Sequence, residues 1–122
     1  MNSLVKELQL SHKLLELNQE AALRFEKSRE EEVTYDFYRD IKPVFEQGSA
    51  LAHEWKERLT EMFKEGRPKY IHASQLESAV DNLEQQLLQS FDAKAKALRF
   101  RNTKESVDYT VQSVIEWLEE KS

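Results

Sequence analysis

Apolar residues recur along most of the chain at alternating steps of three and four, the period of amphipathic helices. Leu4, Leu8, Leu15, Ala22 and Phe25 form one such stripe, and Leu10, Leu14, Leu17 and Ala21 lie beside it. Together they predict helix one over about 4–29. Ser11 and Asn18 fall at seam positions of this face, where polarity is tolerated against backbone or water. The acidic run Glu30, Glu31 and Glu32 opposes a helix C-terminus and marks the first connection.

Helix two is expected to start at Thr34 as cap, with Asp36 in its first turn and Val33 and Tyr38 as a hydrophobic staple. Its stripe is Phe37, Ile41, Val44, Gly48, Leu51, Trp55, Leu59 and Met62. That stripe keeps register past Pro43 and Gly48, which predicts one long helix kinked near Pro43. A true break between Pro43 and Ser49 is the alternative. Gly66 and Pro68 stop the helix: a glycine able to turn left-handed, then a residue unable to continue.

Ser74 and Glu77 have the form of a capping box for helix three, whose buried face reads Leu76, Val80, Leu83, Leu87, Phe91, Ala95 and Leu98. Asn102 or Thr103 opens helix four, with Glu105 placed to complete a box and Val107, Val111, Val114, Ile115 and Leu118 as core. Helix four is read as the shortest. The expected fold is all-α, a four-helix up-and-down antiparallel bundle forming a single domain over 1–122. In that topology the first and third connections share one end. Glu30, Glu31 and Glu32 would then meet the basic residues Lys94, Lys96, Arg99, Arg101 and Lys104.

Composition narrows the chemistry. The chain has no Cys, which excludes disulfides, thiolate catalysis and Cys-ligated metals. With only two Gly and two Pro among 122 residues, the frequent turns of an all-β domain are missing. The formal net charge of −5 argues against general nucleic-acid binding. Charge from Lys6 onward interrupts any signal-peptide core, and no apolar run approaches a membrane span, so no membrane partner and a cytoplasmic location are expected.

No cofactor pattern is found. The positions three before His12, His53 and His72 are Gln9, Ala50 and Lys69, so the Glu-x-x-His pairs of di-iron bundles are absent. The glutamates read as solvated helix faces with Lys or Arg three or four positions away. Trp55, Trp117, Phe63 and Phe91 read as core. There is no phosphate loop and no nucleophile elbow.

The stretches YDFYRDIKP (35–43), RPKYIH (67–72), LLQSF (87–91) and RFRNTKESVDYT (99–110) resemble the YppE-like family of small proteins from Bacillus and related Firmicutes. The resemblance covers helices two to four. It implies a four-helix up-and-down bundle in a Firmicute cytoplasm. It assigns no activity, cofactor or catalytic residue to any position.

The richest segment is the second connection, where Arg67, Lys69, Tyr70 and His72 combine two cations, an aromatic and an imidazole just before a helix start. It can serve as a tethered loop, with Tyr70 and Ile71 capping the bundle and Arg67 and Lys69 pairing with acids of helix four. It can also bind a small anion or phosphorylated ligand, or a partner's carboxylate. The expected function is a non-catalytic protein-interaction or adaptor module, binding a protein partner or a second copy, with Tyr35, Tyr38 and Tyr109 as contact candidates. A metal-dependent bundle enzyme is the remote alternative.

Overall fold

The computed structural model describes residues 4–121. The chain forms α1 (Leu4–Glu31), a π-helical turn (Phe37–Ile41) running directly into α2 (Lys42–Phe63), α3 (Ala73–Gln89) and α4 (Ala97–Lys121). No strand occurs among the described residues. Each helix packs against the next and α4 closes back on α1, so the order around the bundle is α1, α2, α3, α4. The all-α four-helix reading holds.

The stripes define the core. Leu10, Leu14, Leu17, Ala21 and Phe25 of α1 are buried, while Leu4, Leu8, Leu15 and Ala22 flank them, half-buried. Ala52, Trp55 and Leu59 come from α2, Leu76, Val80, Leu83 and Leu87 from α3, and Phe100, Val107, Val111, Val114, Ile115 and Leu118 from α4. Each such large side chain contributes about 1.5–3 kcal/mol by leaving water. Both seam side chains hydrogen-bond across the bundle, although Asn18 Oδ1 is buried with no partner among the described residues. Ser11 Oγ donates to the Glu7 carbonyl at 2.7 Å and accepts the Trp55 indole N–H at 2.8 Å. Asn18 Nδ2 donates to the Lys104 carbonyl and to Asp108 Oδ1.

Helix two is one element, without a break between Pro43 and Ser49. Its start differs from expectation. Asp36, not Thr34, is the cap: its carboxylate accepts the Arg39 N–H at 2.7 Å, and Asp40 Oδ2 accepts the Asp36 N–H at 2.8 Å. The turn that follows is one residue wide of α geometry, with the Ile41 N–H reaching the Asp36 carbonyl at 3.3 Å. Pro43 thus enters in the first turn of α2, where its missing N–H costs least. Phe37, the first member of the predicted stripe, lies before the register shift and is exposed.

The stop of α2 also differs. Gly66 keeps a negative φ; the last turn closes through the Lys64 N–H to the Glu61 carbonyl and the Glu65 N–H to the Met62 carbonyl. The left-handed residue is instead Glu32, at φ 50°, just past α1.

The boundary between helices three and four is corrected. α3 begins at Ala73, where Gln75 Oε1 accepts the His72 N–H at 2.7 Å, and ends at Gln89. Ala95 lies in the third connection and Leu98 in the first turn of α4. Asn102 and Thr103 sit inside α4, which has 25 residues; α3, with 17, is the shortest. Phe100 is the reason. Its ring stacks on Phe25 at 4.1 Å, and its carbonyl accepts from the buried Gln86 Nε2 at 3.0 Å.

The first and third connections do share one end. Ser28 Oγ donates to the Ser90 carbonyl at 3.0 Å, and Tyr35 meets Phe91 edge-on at 4.9 Å. The expected pairing with Glu30, Glu31 and Glu32 is not made; Arg101 pairs instead with Glu26, lower down α1, at 2.9 Å. Among the described residues, Glu30, Glu31, Glu32, Lys94, Lys96 and Arg99 make no ion pair.

Candidate functional site

The second connection is anchored by its apolar members. Pro68 and Ile71 are buried, and the Ile71 N–H closes a turn onto the Pro68 carbonyl at 3.3 Å. Arg67 locks that turn, with Nη1 donating to the Ile71 carbonyl at 3.2 Å and the Pro68 carbonyl at 3.4 Å. Its guanidinium therefore serves backbone oxygens, where a helix-four acid was the expected partner. With Pro68 and Ile71 turned inward, Lys69 and Tyr70 point out. Lys69 Nζ lies 5.3 Å from the Tyr70 ring centre, and Tyr70 is 68% exposed. Ile71 caps the bundle as expected; Tyr70 does not.

These outward residues form one wall of a depression of about 220 Å³ against α4. The other wall is Tyr109, Ser113, Glu116 and Glu120, at steps of four and three, with Trp117 next to Glu116 and four beyond Ser113, so one helical face lies toward the loop. Trp117 supplies a fixed aromatic surface, held edge-on by Phe63 at 5.3 Å with Lys121 Nζ 4.7 Å from its ring centre. Tyr109 is 59% exposed and also borders a second, wider depression with Leu15, Gln19, Lys104, Glu105, Asp108 and Gln112. Tyr109 thus joins two hollows along α4.

The structure brings Lys69 and Tyr70 into this groove. Arg67 turns into its own loop, and His72 flanks the start of α3 outside it. The groove is lined by the carboxylates of Glu116 and Glu120 and the ammonium of Lys69, with Lys121 Nζ beside it over the Trp117 ring. The α4 wall was absent from the predicted site. It was within reach, because an antiparallel bundle lays the second connection beside the last turns of helix four. Of the other contact candidates, Tyr38 is exposed, while Tyr35 is half-buried with its hydroxyl 3.0 Å from Ser28 Oγ.

Elsewhere several polar groups tie helices together, while Arg24 Nη2 and Gln86 Oε1 are buried without a hydrogen-bond partner among the described residues. Glu84 accepts the Ser49 hydroxyl and lies 3.2 Å from His53 Nε2, tying α2 to α3. His12 sits on an outward face of α1 beside Val5 and Leu8. Arg24 is half-buried over the Phe91 ring at 4.4 Å, donating from Nε to Ser90 Oγ. Burial lowers its pKa, against the opposing pull of Glu20 and Tyr35. Among the described residues no cluster of three or more His, Asp or Glu could hold a metal ion, and no helix is long and apolar enough to cross a membrane.

The profile of a bacterial domain of unknown function, DUF1798, matches residues 11–118. The uncharacterised protein YppE of Bacillus subtilis (strain 168) is 35% identical over 107 residues, covering 88% of this chain and 87% of that protein. The crystal structure of that protein superposes with a TM-score of 0.89 at 32% identity, covering 94% of each chain. A Listeria innocua protein of unknown function superposes with a TM-score of 0.91 at 28% identity, over 95% of this chain and 93% of that one.

Proposed function

The chain belongs to the bacterial DUF1798 family, and from that premise we propose that it is a non-catalytic protein-interaction module whose contact surface is the groove between the 67–71 connection and α4. The observation that carries this reading is the convergence of two exposed tyrosines, Tyr70 and Tyr109, from separate elements over one depression. Tyrosine gives a large, stiff contact area with a polar tip, the chemistry favoured where proteins meet. The groove also sets the partner's chemistry. Glu116, Glu120 and the aromatic faces favour a Lys or Arg side chain, and Trp117 offers an apolar floor beside them. A protein segment presenting a cation next to an apolar residue fits. The same carboxylates make the groove a poor site for a phosphorylated ligand.

Capture from native lysate by three forms of the protein tests this. Wild type and Leu23→Ala, altered on the exposed face of α1, are expected to retain the same stoichiometric partner. Tyr70→Ala/Tyr109→Ala is expected to lose it while keeping its helical content. An identical set of proteins on all three would sink the reading.

A further inference from the structure

At the other end of the bundle, the first connection spans α1 to α2 and the third spans α3 to α4. With the helices in cyclic order, these connections bound one end face from two sides and meet across it through Ser28–Ser90 and Tyr35–Phe91. One edge carries Glu30, Glu31 and Glu32; the other carries Lys94, Lys96 and Arg99. All six are exposed, and among the described residues none is in an ion pair.

Both edges break local rules. The acids lie at a helix C-terminus and the cations at a helix N-terminus, each facing the like end of the macrodipole. Glu32 holds the left-handed conformation usually given to glycine. Large apolar groups accompany them: Leu98, 72% exposed, in the first turn of α4, and the edge-on pair Phe37 and Tyr38, 53% and 74% exposed, before α2.

We propose that this end face is a self-association surface on which two copies of the chain meet end to end about a two-fold axis. The axis lies in the contact plane, midway between the edges and parallel to them. Rotation about it sets the acidic edge of each copy over the basic edge of the other, so one surface is complementary to itself. A foreign partner would need the same split of charge across the same span; the chain's own end face has it. Leu98, Phe37 and Tyr38, exposed beside the two connections in the chain, supply the apolar contact. This face is remote from the tyrosine groove, so failure here leaves the groove reading standing.

Because exposed charges are screened within about 8–10 Å at physiological salt, the dimer is expected to be salt-sensitive. Sedimentation of the wild-type chain should show a concentration-dependent dimer at low ionic strength that dissociates in about 0.5 M salt. Glu30→Lys/Glu31→Lys/Glu32→Lys makes both edges basic. Lys94→Glu/Lys96→Glu/Arg99→Glu makes both acidic. Each variant alone should be monomeric, with helical content unchanged by circular dichroism, and an equal mixture should form a one-to-one heterodimer. A wild-type chain that stays monomeric at low salt overturns the proposal. So does a mixture that gives no heterodimer, or a dimer that survives both variants. A monomer that instead binds vesicles of anionic lipid through the 94–99 edge also overturns it.

Discussion

Gly48 offers a quantitative test of how closely α2 approaches α3. It is buried in mid-helix, and a Cβ built there falls against Leu87 Cδ1, with Leu87 Cγ at 3.6 Å and Leu17 Cδ1 at 3.7 Å. Leu87 is 1% exposed, so its methyl group would have to shift within the packed core. Gly48→Ala gains about 1 kcal/mol of helix propensity. Against this, an added methyl in a packed core costs about 1–3 kcal/mol. The clash wins, and the net expectation is a loss of about 1 kcal/mol, or roughly 4 °C in Tm for a domain of this size. Leu87→Val alone also loses about 1 kcal/mol by leaving a small void. Combined, the new methyl occupies that void, the propensity gain survives, and the double variant returns to near wild-type stability. The coupling energy is then about 2 kcal/mol. Urea unfolding followed by circular dichroism measures all four corners of the cycle. A Gly48→Ala variant more stable than wild type, or singles that simply add, would refute close helix approach as the reason for this glycine.

Other expectations concern single groups. Ser11→Ala removes the acceptor of the buried Trp55 indole N–H and should cost about 1–3 kcal/mol in urea unfolding; a loss within error would mean the indole finds another partner. Glu32→Gly should raise stability by about 1 kcal/mol, since a left-handed conformation is unfavourable for any residue with a Cβ; an unchanged Tm counts against strain there. The Asp40 carboxyl titrates below its ordinary value of 3.8, held first by the Arg39 side chain and then by the Asp36 N–H. Its folded-state pKa is lowered, so its contribution is present above 3.8 and fades as the pH falls through the lower folded value. Carboxyl NMR should show that low midpoint, and Arg39→Gln should move it up.

The helix count, the order of packing and most of the core were legible because apolar stripes survive in the sequence wherever a helix faces the bundle. The boundary between the last two helices was not. Asn102 with Glu105 has the letters of a start signal, yet Phe100 binds that stretch into α4 through Phe25 and Gln86. Tertiary packing overrode a local cap. The clue lay one heptad upstream of Val107, where Phe100 continues the helix-four stripe and Leu98 does not. Of the candidate site, Lys69, Tyr70 and Tyr109 could be named from residue type alone. Their meeting with Glu116, Trp117 and Glu120 required knowing which face of α4 turns toward the loop.

The wide turn at Phe37–Ile41 gives this bundle a place where chain length is negotiable. A π turn holds one residue more than the α turn it replaces. Deleting a residue such as Tyr38 would let that turn close to α geometry while every position from Lys42 onward kept its face. The same deletion inside α2 would rotate everything on one side of it by about 100° and turn Trp55 or Leu59 out of the core. Among relatives, length variation within the second helix is therefore expected to collect in this turn, ahead of Pro43.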